Sequence, residues 1–146
     1  SDDLGIARDF FYTLGNYAIN YDTCIALEAN PKIYNTNFIN TNTEAVEFIR
    51  SINNPGIRLN YDTGAVIQNS EDLSIIDAQI HLVNHVHISE PYLKRIRERE
   101  IHVDLLRILV SNDYMKYVSI EMSTLENMEE VEEVMHYIIN AYNLVK

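Results

Sequence analysis

Apolar positions along this chain follow two alternating rhythms. Spacings of three and four join Leu4, Ala7, Phe10, Phe11, Leu14, Tyr17 and Ala18, which predicts a helix with one buried stripe from Asp3 to about Asn20, capped by Asp2 or Asp3. The short apolar run Thr23 to Ala29 predicts a strand, stopped by Asn30-Pro31 because proline disfavours helix in the residue before it. Asn, Thr and aromatic residues fill 31–42, a substantial loop anchored by Tyr34 and Phe38. Thr43 to Ile49 reads as a capped helix ending before Asn53-Asn54-Pro55-Gly56, and Ile57 to Tyr61 as the second strand.

The same alternation continues to the end of the chain. Asp62-Thr63-Gly64 predicts a turn, and residues 71–83 a helix through Leu73, Ile76, Ile80 and Leu82. His85 to Ile88 is the third predicted strand, Val103 to Leu109 a helix with Leu105, Leu106 and Leu109 inward, and Tyr117 to Met122 the fourth strand. A long amphipathic helix spans Leu125 to Val145, its apolar side built from Leu125, Met128, Val131, Val134, Met135, Ile138, Ile139 and Tyr142. Glu129, Glu130, Glu132 and Glu133 form a solvated face near its start, where the helix dipole favours carboxylates. Helix and strand taking turns in this way predict an α/β chain: about four parallel strands and five helices, in one domain over residues 1–146.

Composition narrows the partners. With 47% apolar and 23% charged residues the chain is an ordinary folded domain, but its formal charge of -11 would repel a polyanion, so no nucleic-acid partner is expected. Positive charge gathers only in Lys94-Arg95-Ile96-Arg97-Glu98-Arg99. The lone Cys24 has no internal disulfide partner, and neither a signal peptide nor an apolar stretch of spanning length is visible, which makes a cytoplasmic location the expectation and gives no membrane partner. The opening Ser1-Asp2-Asp3 lacks an initiator Met, which suggests a trimmed or cleaved chain.

Each predicted strand ends in a residue able to hold a metal: Glu28, Asp62, His87 and Glu121, spaced 34, 25 and 34 residues apart. That spacing is about one strand, loop and helix, so consecutive parallel strands would deliver all four to one rim. Three carboxylates and one imidazole make a hard, oxygen-rich set suited to Mn²⁺ or Mg²⁺, with Co²⁺ and Zn²⁺ as alternatives. Any one of these residues alone is more often an ion-pair partner, a cap or a core histidine; four in phase are what point to a metal. His85, two residues before His87, shares its face and is expected to support it. A divalent ion between spare carboxylates suits proton abstraction beside a carbonyl: the metal polarises neighbouring oxygens and stabilises an enediolate, while one carboxylate removes a proton and another returns it. Glu28 and Glu121 are the candidates for that pair.

The segments Leu27-Glu28-Ala29-Asn30-Pro31, Tyr61-Asp62-Thr63-Gly64, His85-Val86-His87-Ile88-Ser89-Glu90 and Ser119-Ile120-Glu121-Met122 resemble the C-terminal half of the sugar phosphate isomerase/epimerase superfamily, xylose isomerase-like TIM barrels. The resemblance covers nearly the whole chain and implies βα units five to eight of such a barrel. It also accounts for a chain of 146 residues where a full barrel takes about 250. In the tagatose- and psicose-type 3-epimerases the matching Glu, Asp, His and Glu hold a divalent metal, usually manganese. By that resemblance Glu28 and Glu121 are acid and base, and Glu90 also matches. Ala65, Tyr34 and Leu93 stand where those epimerases carry a His, a Glu and an Arg that contact substrate, which turns the expectation from a free ketose toward another polyol, sugar acid or sugar phosphate. Lys94 and Arg95, beside the position of the missing Arg, are candidates to meet an anionic group.

The expected activity is a metal-dependent sugar isomerase or epimerase acting on a small carbohydrate. The alternatives are a non-catalytic binding or assembly module derived from the barrel and an inosose dehydratase-like lyase. A half barrel would leave two strand edges open, so either a missing N-terminal half or self-association is expected.

Overall fold

The computed structural model describes residues 2–146, and its strands fall where the apolar runs end in candidate ligands. β1 (Ile25–Glu28), β2 (Ile57–Asp62), β3 (Val83–Ser89) and β4 (Tyr117–Glu121) form one parallel sheet in the order β1-β2-β3-β4. Among the described residues six α-helices accompany them: α1 (Asp2–Ile19), α2 (Asn42–Ile52), α3 (Thr63–Asn69), α4 (Ser74–Gln79), α5 (Glu100–Ser111) and α6 (Met128–Asn143). The extra helix is α3, which occupies the expected turn after Asp62. Its seven residues are too few for an amphipathic rhythm, and it is held at its start by the Asp62 carboxylate, whose Oδ1 accepts from the Ala65 N–H at 2.7 Å.

One face of the sheet builds the core. Ile57, Leu59, Tyr61, Val83, Val86 and Ile88 are fully buried there, packed with Val46, Ile49, Ile52, Ile76, Leu105 and Leu109 of the helices. The opposite face carries Asn60 and Asp62 of β2 and, by register, His85 and His87 of β3 and Tyr117 and Ser119 of β4. A slip in the β2–β3 pairing makes this possible: Leu59 pairs with Val83, but Asn60 pairs with His85, so Asn84 drops out of the ladder. This one-residue bulge switches β3 between faces, so that Val83 joins the core and both histidines join the polar face.

The helices start and stop for local reasons. At α2 the Thr41 hydroxyl accepts from the Glu44 N–H at 3.1 Å while the Glu44 carboxylate returns to the Thr41 N–H at 3.3 Å, a reciprocal cap. α6 begins at Met128 rather than Leu125 because Asn127 caps it, accepting from Glu130 N–H at 3.0 Å. At α1, Gly15 meets Gly56 backbone to backbone: a Cβ on Gly56 would lie 2.2 Å from the Gly15 carbonyl oxygen. Asn54 fastens the same contact, donating to the Tyr12 carbonyl at 3.0 Å and to Asn16 at 2.8 Å.

The predicted apolar stripes of the first and last helices are buried only in part. Ala18 is enclosed and Phe11 packs edge-to-face on Phe48 at 5.6 Å, but Leu4, Phe10 and Tyr17 are 57–62% exposed. In α6, Val134 and Ala141 are buried while Met128, Met135, Ile139 and Tyr142 are exposed. The cause is topological: β1 and β4 each have a strand neighbour on one side only, so half of each flanking helix faces no sheet. No helix among the described residues is long and apolar enough to cross a membrane.

Candidate metal centre

Glu28, Asp62, His87 and Glu121 each present a ligand atom at the C-terminal ends of the strands, and these atoms all lie within 4.8 Å of one another. Oε1 of Glu28 is 3.0 Å from Nδ1 of His87, and Oε2 of Glu121 is 3.2 Å from the same nitrogen. Register explains the convergence: Glu28 pairs with Asn60, one pleat before Asp62, while Asp62 pairs with His87 and His87 with Ser119, one pleat before Glu121. His85 stands outside the group, its Nε2 2.7 Å from the Ser119 hydroxyl and its ring edge-on to His87 at 5.0 Å.

Three carboxylates in so small a volume repel one another. Burial first, and then the charge of Asp62, push the Glu28 carboxyl up to about 7, with Glu121 adding to the rise and His87 opposing it. Burial also raises Asp62, although hydrogen bonds from Ser89 and Ala65 pull against it. Burial and the neighbouring His87 lower His85, favouring its neutral ring. A divalent cation removes the conflict among the carboxylates, and the donor set of three hard oxygen ligands and one imidazole matches Mn²⁺ or Mg²⁺. The residues fit the ion.

Two further residues shape the site. Asn60, two positions before Asp62 on the same face of β2, donates from Nδ2 to Glu28 Oε1 at 3.0 Å and lies 3.2 Å from His87 Nδ1. Its buried Oδ1 has no partner among the described residues. Ser89, two positions after His87, donates from its hydroxyl to Asp62 Oδ2. Strand alternation carries the signal for both, since each sits one pleat from a ligand, but the signal becomes visible only once the ligands are fixed.

Glu90, Lys94 and Arg95, the candidate substrate contacts, have partners outside this group. Glu90 is 2% exposed and takes both nitrogens of an Arg99 fork, Nε at 2.6 Å and Nη2 at 2.7 Å. Burial would raise its carboxyl, yet the hydrogen bonds and charge of Arg99, with Arg97 behind, hold it below the usual range. Lys94 Nζ lies 5.6 Å from the Tyr92 ring centroid, and Arg95 pairs with Glu133. At two of the departures, the Tyr34 hydroxyl accepts from the Tyr92 N–H at 2.7 Å and Ala65 is buried inside α3.

No family model matches this chain, and no curated protein does. Solved structures do. The chain superposes on a 3-keto-D-glucoside 4-epimerase from E. coli with a TM-score of 0.82 at 18% identity, covering 94% of this chain and 54% of that one. It superposes on an L-ribulose 3-epimerase with a TM-score of 0.86 at 15% identity, covering 99% of this chain and 56% of that one. The chain has the fold of half a TIM barrel. A xylose isomerase-like TIM barrel protein from Mycobacterium smegmatis, solved in complex with magnesium, extends the set with a TM-score of 0.67 at 17% identity, covering 95% of this chain and 51% of that one. The half barrel thus spans about half the length of the structures it matches, and the group that could hold a metal lies at the strand ends where TIM barrels keep their active sites.

Proposed function

We propose that this half barrel is the metal-bearing part of a divalent-metal-dependent sugar isomerase or epimerase, residues 1–146 being one section of a longer barrel. The observation that carries the reading is the convergence of Glu28, Asp62, His87 and Glu121 on one point at the C-terminal rim. Its fold likeness to sugar epimerases supports a small carbohydrate as substrate. Mn²⁺ is the first choice of ion and Mg²⁺ the second; a bound divalent cation would polarise the oxygens of a carbonyl and its neighbouring hydroxyl, making the hydrogen between them acidic.

The protein's own groups then divide the proton work. Glu28 stands at the rim with its side chain more than a third exposed, so its carboxylate is open to a bound substrate. It removes or returns the proton on the carbon beside the carbonyl, and Glu121, from the far end of the sheet, serves the other face. Asp62 and His87 are ligands without a proton-transfer task. An N-terminal half barrel or a second copy would cover the open edges at β1 and β4 and complete the substrate pocket.

Titration with Mn²⁺, followed by electron paramagnetic resonance, tests the centre: the wild type should bind one ion, and Glu121→Gln should weaken it by more than about 100-fold, beyond the effect of outer partners. Deuterium wash-in from solvent at a carbon next to a carbonyl, screened over ketoses, sugar acids, sugar phosphates and inososes with the complete barrel, tests the reaction. A wild type that takes up no ion, or one whose affinity ignores Glu121, refutes the proposal.

A further inference from the structure

Asp62 is the most enclosed of the four ligands, and both of its oxygens are already in use by the scaffold. Oδ1 accepts from the Ala65 N–H at 2.7 Å and Oδ2 accepts from the Ser89 hydroxyl. Each carboxylate oxygen keeps a second lone pair, so these bonds fix the carboxylate plane without exhausting it. Ser89 is itself pinned: it is 1% exposed, and its Oγ accepts from the Gly64 N–H at 2.8 Å, which directs its own hydrogen toward Asp62. Space for this arrangement exists only because residue 64 is glycine. A Cβ there would lie 2.6 Å from Ser89 Oγ, while its next contacts, Asp62 Oδ1 at 3.1 Å and the Glu90 carbonyl carbon at 3.2 Å, are less severe.

We propose that Ser89 is a positioning residue that orients Asp62 toward the cation, and that Gly64 is required because a side chain there would displace the Ser89 hydroxyl. This rests on the metal-centre reading and adds to it an outer partner that the four ligands do not reveal. Glu28 and Glu121, each more than a third exposed, have no backbone hydrogen bond to their carboxylates among the described residues, so Asp62 is the carboxylate of the three that the scaffold fixes.

Asn54, just before the start of β2 and so at the opposite end of that strand from Asp62, supplies the control: it is 6% exposed and donates to the Tyr12 carbonyl at 3.0 Å and to Asn16 at 2.8 Å. The test measures the Mn²⁺ dissociation constant by electron paramagnetic resonance on the full chain, with the thermal midpoint of the metal-free protein measured in parallel. Ser89→Ala should weaken Mn²⁺ by roughly 10- to 100-fold, the usual effect of losing an outer partner. Asn54→Ala should lower the thermal midpoint and leave affinity within about threefold, as a purely structural contact would. Gly64→Ala should weaken Mn²⁺ as Ser89→Ala does, and should add little to it in the double variant, because the clashing hydroxyl is then gone. Equal effects of Ser89→Ala and Asn54→Ala on affinity, or full additivity with Gly64→Ala, overturn the inference while leaving the metal centre standing. A wild type that does not bind Mn²⁺ overturns both.

Discussion

Glu28 and His87 touch across an intervening strand: Oε1 of one is 3.0 Å from Nδ1 of the other, although β2 separates β1 from β3. Backbones two strands apart in a sheet lie about 9–10 Å from each other, so both side chains must lean inward over β2. Asn60 on β2 stands beneath the contact and donates to Glu28. The site is therefore a product of sheet shape as much as of ligand identity.

Cation affinity should follow the Glu28 proton. With that carboxyl at about 7, protons compete with the ion below neutrality, and Mn²⁺ affinity is expected to rise about tenfold from pH 6 to pH 8 with proton release. Isothermal titration in buffers of different ionisation enthalpy measures both quantities. A flat profile over that range contradicts the assignment.

The metal-free protein should show the opposite trend in stability from the same group. Its folded carboxyl, at about 7, sits above the ordinary value of 4.5, so the folded state holds the proton more tightly. The contribution is fully present below pH 4.5 and is lost as pH rises through 7. The difference in thermal midpoint between wild type and Glu28→Gln should therefore move in favour of Glu28→Gln between pH 5 and pH 8. Saturating Mn²⁺ should reverse it, since only the wild type keeps the ligand.

His102 should govern the acid limb. It is fully buried, its Nδ1 3.1 Å from the Tyr137 hydroxyl and its Nε2 without a partner among the described residues, and burial depresses it from 6.5 to about 4. A depressed histidine must stay neutral in the folded state, so its contribution is present above 6.5 and is lost as pH falls toward 4, by up to roughly 3 kcal/mol. His102→Phe is expected to flatten urea-derived stability over that window. A slope equal to that of the wild type counts against this reading.

Tyr61 offers a gain. Its ring is fully enclosed on the core face of β2 and its hydroxyl has no partner among the described residues, which leaves a desolvated polar group. Tyr61→Phe should raise stability by about 1 kcal/mol, read as a higher urea midpoint at unchanged slope. A loss of that size would mean the hydroxyl has a partner.

The strands were legible because each apolar run closes on a charged or imidazole side chain, and α2 was legible as a capped helix, although its cap is Thr41 and its first residue Asn42, one before the expected start at Thr43. The clustering of Glu28, Asp62, His87 and Glu121 was readable from their places near the ends of successive strands. Other features needed coordinates. The bulge at Asn84 leaves no mark in composition, and α3 depends on one cap rather than on periodicity. Asn60 and Ser89 look like ordinary strand polar residues until Glu28 and Asp62 are seen leaning on them. Periodicity in α1 and α6 reported an apolar face but could not say whether anything covers it, and Phe10 and Met135 stay exposed.

The free margin of β1 and the free margin of β4 are unlike surfaces, so copies of this chain that meet there join head to tail. Such a junction closes after two copies only when four strands sweep half a turn. A shallower sweep that still divides a full turn closes into a larger ring, and one that does not close, or that rises along the axis, propagates into a fibre. The curvature that brings Glu28 over Asn60 to His87 thus also decides whether this sheet ends in a bounded particle or an endless one.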